Sequence, residues 1–359
     1  MIRRLLLAIV VCAFTAGPAA AAQSAFAPYM GEFDPDLQRW YSAMFDQYKQ
    51  AFIKPDGRVF DPQNGGITHS ESQGYGMMLA LLGGDRVTFD RIWQFARNTM
   101  QKPDKLFGWK YVPGKGVTDW NNATDGELLI ATALALAGER WNEPSYVSEA
   151  AAIADATGHH MIRRYGGYTV LMPGNWAEPS GRKRSMTVNL SYFIPLTLGV
   201  MQALAPRHDW ESVYSDSIRL LNDLIHPPSD WTDINKHGEP NPATGWEPKF
   251  SYDAVRIPLY LLQSGIDHPN VSRTIISIWG PSSTGHTFPF DVYTGRPADR
   301  FWGNAYELIH DIIICEATGA PVPLDSLVLN MSNYFNASLH FMLVASLHST
   351  YPHCYPGGG

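Results

Sequence analysis

Helical periodicity of two kinds alternates along this chain, and the alternation restricts the fold more than any single motif does. Residues 74–82, 126–137, 190–204, 254–263, 304–314 and 336–347 are apolar almost all round. Between them, residues 36–53, 89–100, 145–164, 210–225 and 271–279 show one apolar stripe and a polar back. A helix that is apolar all round has to be enclosed, whereas a striped one covers something and faces water. Equivalent points, Glu71, Asp125, Asn189, Asp253 and Asn304, recur at intervals of roughly fifty to sixty-five residues, the mark of repeated helical hairpins. Such hairpins stack as an open solenoid or close into a double ring. Closure is expected, because neither terminus has the polar face of a capping repeat. The expected fold is all-α, an (α/α)6 barrel of six inner and about six outer helices, forming a single domain over residues 23–359.

The N-terminus sets the expected compartment. Arg3 and Arg4, an apolar run over residues 5–14 and small residues up to Ala22 read as a secretory signal peptide over residues 1–22. The apolar run is shorter than the about 20 residues that span a bilayer, and Val11 before Cys12 is a poor context for lipid attachment. A periplasmic or secreted protein with no membrane anchor is expected. Removing Arg3 and Arg4 takes the net charge from −7 to −9, since residues 1–22 hold no acid, so nucleic acid is excluded as a partner. Of three cysteines, Cys315 and Cys354 remain. An oxidising compartment permits their disulfide, but the sequence leaves open whether they meet.

Four of the enclosed helices are preceded by a carboxylate, amide or hydroxyl beside Gly or Tyr: Glu71-Ser72-Gln73-Gly74, Thr124-Asp125-Gly126, Asn189-Leu190-Ser191-Tyr192 and Ser251-Tyr252-Asp253. Helix capping needs these same residue types. In a barrel, however, the equivalent ends of all inner helices converge on one mouth, where groups far apart in sequence line one cleft. The long connectors 105–122, 165–187 and 227–250, rich in Gly, Pro and Trp, would form its walls. Glu71, Asp125 and Asp253 would then meet, and hydrolysis of a glycosidic bond needs such acids: one to protonate the leaving oxygen, another to attack or to activate water.

Three segments carry a family resemblance. His69-Ser70-Glu71-Ser72-Gln73-Gly74-Tyr75-Gly76-Met77, Ala123-Thr124-Asp125-Gly126-Glu127-Leu128-Leu129-Ile130-Ala131 and Ser251-Tyr252-Asp253-Ala254-Val255-Arg256-Ile257-Pro258 resemble the signatures of glycoside hydrolase family 8. Val170-Leu171-Met172-Pro173-Gly174 and Leu190-Ser191-Tyr192-Phe193-Ile194-Pro195 are similar to the endoglucanases that accompany bacterial cellulose synthases. The resemblance runs from about residue 55 to 265. It implies inverting hydrolysis of cellulose or a related β-1,4-glucan, with Glu71 as general acid, Asp253 as general base and Asp125 holding a distorted sugar. It puts Tyr252, Arg256 and Tyr192 beside the base and that sugar, and implies a place beside a cellulose synthase system. Glu127 stands where the family usually has Asp. The base position varies between branches, so Asp230 or Asp233 is the alternative should Asp253 only cap its helix.

The roles impose requirements. Glu71 must hold its proton near neutral pH, through burial or a like charge such as Asp125. Asp253 must stay ionised, helped by Arg256 three residues on. Inversion leaves about 6.5–9.5 Å between acid and base for a water. Trp109, Trp120, Trp176 and Trp246 fall in connectors and are either packed or free to stack on sugar, whose C–H face is apolar; Trp109, Trp176 and Trp120 are the expected substrate platforms. Arg182-Lys183-Arg184 reads as a solvated loop. No Gly-x-Ser-x-Gly elbow, phosphate-cradling Gly-rich loop or His-Glu-x-x-His helix occurs, and His159-His160 lacks ligand spacing, so no cofactor or metal is expected. The same scaffold could instead cut xylan, chitosan or mixed-linkage glucan, eliminate across a uronic acid as a lyase, or bind glucan without turnover.

Overall fold

A computed structural model describes residues 35–179, 184–281 and 287–357. The signal-peptide segment 1–22 and residues 182–183 of the basic patch lie outside the described residues. In chain order the helices are α1 (Pro35–Phe52), α2 (Ser70–Gly83), α3 (Arg86–Phe95), α4 (Thr124–Arg140), α5 (Pro144–Met161), α6 (Pro195–Leu204), α7 (Trp210–Asp223), α8 (Arg256–Gln263), α9 (Pro269–Trp279), α10 (Ala305–Thr318) and α11 (Tyr334–Ser349).

The two kinds of periodicity sort these helices as they do in the sequence. Helices α2, α4, α8, α10 and α11 are buried on nearly every face, and α6 with them on most. Helices α1, α3, α5, α7 and α9 bury one stripe only. Helix α2 packs on α4, α4 on α6 and α6 on α8, while α11 packs on α8, α10 and α2 and so closes the ring. This is an (α/α)6 barrel. At the α2–α4 contact the backbones come close enough that a Cβ on Gly74 would lie 2.5 Å from the Leu129 Cβ, and one on Gly126 2.4 Å from the Ser70 Oγ.

Two details depart from the expected pattern. The apolar run 190–204 is not one helix: a single 3-10 turn covers Leu190–Tyr192, and α6 starts only at Pro195, which is tolerated in a first turn and not deeper. Among the described residues there are five outer α-helices, not six, because the path between α10 and α11 is taken by residues 319–333 with one 3-10 turn at Leu324–Leu327. This strap is tied along the barrel. Val322 donates to the Cys354 carbonyl (2.9 Å), Ser326 Oγ donates to Asp311 (2.5 Å), His340 Nε2 lies 2.7 Å from the Ser326 carbonyl, and Asn304 donates to the Val328 carbonyl (2.7 Å). Cys315 and Cys354, left open by the sequence, form a disulfide that joins α10 to the chain beyond α11.

Connectors leading from outer to inner helices are long, whereas those leading back, such as 84–85 and 141–143, are short. The long ones fold into small antiparallel sheets: β1 (Thr68–His69), β2 (Lys110–Val112) and β3 (Gly116–Asp119); the hairpin β4 (Ile162–Tyr165) and β5 (Tyr168–Leu171); β6 (Ser185–Val188), β7 (Thr232–Asn235) and β8 (Pro240–Pro242); and β9 (Lys249–Phe250) with β10 (Phe290–Asp291). They stand at the end of the barrel where the inner helices begin, and the groove opens there.

Candidate active site

Each of the three acids sits in or just before the first turn of an inner helix, and at α2 and α8 a different residue secures that turn. At α2, His69 N–H donates to Ser72 Oγ (3.0 Å), which leaves Glu71 free. Before α8, Asp230 accepts from the backbone N–H groups of Ser251 and Ala254 (both 2.8 Å), so the turn carrying Asp253 is secured by a different carboxylate. Asp233, the other alternative, is taken up by Thr187 (2.5 Å) and the Thr244 N–H (3.1 Å) within the β6–β7–β8 sheet. Asp125 accepts from Gly126 N–H with one oxygen (2.9 Å) and presents the other inward. Asn189, by contrast, is a cap, accepting from Ser191 N–H (3.0 Å).

All three acids converge on Arg256, the first residue of α8. One terminal nitrogen, Nη1, bonds both Glu71 and Asp125, the latter at 3.0 Å, and Nη2 donates to Asp253 at 2.5 Å. The arginine thus serves the whole mouth, where the sequence pairs it with Asp253 alone. Its surroundings are closely layered: the Tyr192 ring lies 5.6 Å from the guanidinium carbon and the Phe335 ring 5.9 Å. Tyr334, at the start of α11, donates to Glu71 (3.1 Å) and stands 3.5 Å from His69 Nδ1.

Electrostatics follow from crowding these charges in a poorly hydrated place. Burial raises Asp125 to about 7, with the Glu71 charge adding to the rise and Arg256 opposing it. Burial opposes the charge on Arg256, but Glu71, Asp253 and Asp125 outweigh it and hold its pKa well above the usual arginine value. Asp230 is raised to about 7 by burial and then by Asp253. Burial keeps His69 neutral, and burial with the Glu71 charge keeps Tyr334 a phenol. One buried arginine for three acids leaves surplus negative charge, so the site retains a proton in the neutral range.

The groove has two lobes that share His69, Glu71, Asp253 and Arg256. The larger, about 580 Å³, is walled by Asp61, Tyr252, Trp302 and Tyr334; the smaller, about 150 Å³, by Trp109, Asp125 and Tyr192. Trp109 stacks on the His69 ring at 6.0 Å. Tyr252 is half-exposed, edge-on to Phe301 at 5.4 Å. Trp176 and Trp120 are exposed but line neither lobe, and Trp120 leans instead on Gly108 in the β2–β3 region. Sequence reasoning missed His69, Tyr334, Phe335 and Trp302. Tyr334 had a usable signal, since it follows the cap Asn333 and opens the sixth inner helix, just as Glu71 opens the first. Among the described residues one group, Cys315, His353 and Cys354, has donor atoms close enough for a metal ion, but its sulfurs are bonded to each other.

The family model of glycosyl hydrolases family 8 matches residues 33–278. A probable endoglucanase of Novacetimonas hansenii is 40% identical over 254 residues, 68% of this chain and 72% of its own. An endoglucanase of Cellulomonas uda is 36% identical over 232 residues, 62% of this chain and 63% of its own. The solved structure of an endo-β-1,4-glucanase from Acetobacter xylinum matches with a TM-score of 0.78 at 34% identity, covering 88% of this chain and 99% of that one.

Proposed function

The chain belongs to family 8 of the glycosyl hydrolases, and we propose that it is an endo-β-1,4-glucanase that cuts cellulose or a related β-glucan with inversion. Glu71 protonates the leaving oxygen, Asp253 removes a proton from the water that attacks the opposite face of the sugar, and Asp125 holds the distorted ring between them. Arg256 bonds all three acids and fixes their geometry. Tyr252, Tyr192 and Trp109 contact the sugar at the cleavage point, with Trp176 and Trp120 further out. One observation carries the proposal: Glu71 and Asp253 open into the same groove on different nitrogens of a single guanidinium.

The test is turnover by the purified protein on carboxymethylcellulose, xylan, chitosan and mixed-linkage glucan, with the first-formed anomer followed by NMR. New reducing ends from carboxymethylcellulose in the α configuration are expected. Release from xylan alone would overturn the substrate, and β-anomers would overturn the water mechanism. Glu71→Gln should lower turnover by at least about 10³-fold; if it does not, Glu71 is not the acid.

We further infer action outside the cytoplasm, with no membrane anchor, beside a cellulose synthase system. The Cys315–Cys354 disulfide supports export, because such bonds persist in oxidising compartments. Among the described residues no helix is long and apolar enough to cross a membrane. Fractionation with and without residues 1–22 tests export, and a deletion strain whose cellulose is unaltered would remove the synthase link.

A further inference from the structure

We propose that Cys315, Cys354, His353 and Glu316 form a redox-gated site for a zinc ion at the seam of the barrel. Oxidised, the two sulfurs close the disulfide that joins α10 to the chain beyond α11; reduced, they turn to the metal, and the seam stays joined through it. The site lies at the C-terminal end of α10, whereas the carboxylates lie where the inner helices begin, so it stands whether or not the chain cuts glucan.

Two pairs of neighbouring residues supply the donors. Cys315 and Glu316 stand in the last turn of α10, and His353 and Cys354 in the 3-10 turn Pro352–Cys354. One donor atom each from Cys315, His353 and Cys354 lies within 4.8 Å of the other two. Glu316 Oε1 adds a fourth, 2.7 Å from His353 Nε2 and 3.8 Å from the Cys354 sulfur. Two thiolates, an imidazole and a carboxylate make a ligand set for zinc, which takes four in a tetrahedron with neighbouring ligand atoms about 3.3–3.8 Å apart. Sulfur donors disfavour calcium and magnesium, which are held by oxygen. With 5.9 Å between the two Cα atoms, the freed sulfurs reach that spacing by side-chain rotation.

Backbone bonds hold both cysteines in place without the sulfur bridge. Gly319, in the left-handed region, donates its N–H to the Cys315 carbonyl (2.6 Å) and ends α10; Cys354 N–H donates to the Tyr351 carbonyl (2.9 Å), and the Cys354 carbonyl accepts from Val322 N–H (2.9 Å). The donors therefore remain assembled after reduction. Both cysteines are buried, while His353 and Glu316 are exposed, so an ion enters from solvent over the imidazole and the carboxylate and is held on thiolates shielded from water. The chemistry balances: a dithiol gives the S–S bond two electrons and two protons and closes to its own disulfide, after which the ion displaces the two thiol protons.

The test uses the whole protein without a histidine tag, reduced by a phosphine that leaves as its oxide, desalted in the absence of air, and titrated with cobalt(II) and then zinc. The reduced protein should bind one cobalt ion with near-ultraviolet thiolate-to-metal absorption and the visible bands of a tetrahedral site, and one equivalent of zinc should abolish both. The oxidised protein should show neither. Zinc should raise the melting temperature of the reduced protein and leave that of the oxidised protein unchanged. His353→Ala and Glu316→Ala, at exposed side chains that leave both sulfurs in place, should each weaken zinc binding about tenfold or more. Absence of the thiolate absorption in the reduced protein overturns the site. So does full affinity in both variants, which would make the metal a chance chelate of two thiols. Every readout is binding or melting, so failure of the glucanase assignment leaves the test intact.

Discussion

Three acids around one guanidinium form a unit whose members depend on each other. Glu71, Asp125 and Asp253 come from the N-terminal ends of three different inner helices, Asp253 from the turn that leads into α8, and without Arg256 their charges would repel in a place that water reaches poorly. A lysine carries the charge, but its donors all sit on one nitrogen at the end of a flexible stem and cannot span the carboxylates that Arg256 reaches with two separate nitrogens. Arg256→Lys should therefore lower turnover on carboxymethylcellulose by at least about 100-fold and lower the melting temperature as well; a variant with near-normal activity would show that the bridge is not needed. The sequence shows Asp253 and Arg256 three residues apart, so that pair is legible. The links from Arg256 to Glu71 and Asp125 span 185 and 131 residues, and only the barrel reveals them.

Glu127 is equally hidden. It is wholly buried and raised to about 8 by that burial, while one oxygen accepts from the Phe107 N–H at 2.8 Å and the other faces Asn122. Its pKa is raised on folding, so the folded state holds a proton that the unfolded chain loses first. The stability this brings is complete below about 4.5, the unfolded value, and is lost as pH rises to about 8. Asp125 and Asp230, raised to about 7, add loss over the lower part of that window. The melting temperature should fall between pH 5 and pH 8, and Glu127→Gln should flatten the fall; calorimetry at several pH values measures both.

At the scale of elements, α2 and α4 set the spacing of two of the acids. Gly74 and Gly126 let these helices approach until Cβ atoms would collide. Gly74→Ala or Gly126→Ala should cost about 1–3 kcal/mol by forcing the pair apart, read by urea unfolding, and should reduce activity beyond what the lost stability explains, because Glu71 and Asp125 move with their helices. The inner helices were legible because nothing but enclosure suits an all-apolar helix. The small sheets were not, because strands of two to four residues are too short for alternation to register, and a bonded partner, not periodicity, defines them. The missing sixth outer helix escaped for a related reason: residues 319–333 carry Pro321 and Pro323 and no stripe, and only their ties to Asp311 and His340 show that they occupy an outer position.

For the whole molecule, the ring closes at α11, the element next to that strap. The Cys315–Cys354 bridge spans 39 residues and holds the base of the seam. Cys354→Ser should cost about 2–4 kcal/mol by freeing that loop in the unfolded chain, seen as a lower melting temperature that added reductant does not lower further. Amide exchange should then quicken first in the strap and not in α2 or α4.

The strap fills an outer position with about as many residues as a helix would use, but apart from its one 3-10 turn it has no ladder of its own hydrogen bonds and takes its shape from what it touches. Its upper end runs straight into Asn333 and Tyr334, and Tyr334 holds Glu71. On gentle heating the strap should peel before the helices melt, carrying Tyr334 off Glu71, so that catalysis fails several degrees below the loss of helical dichroism.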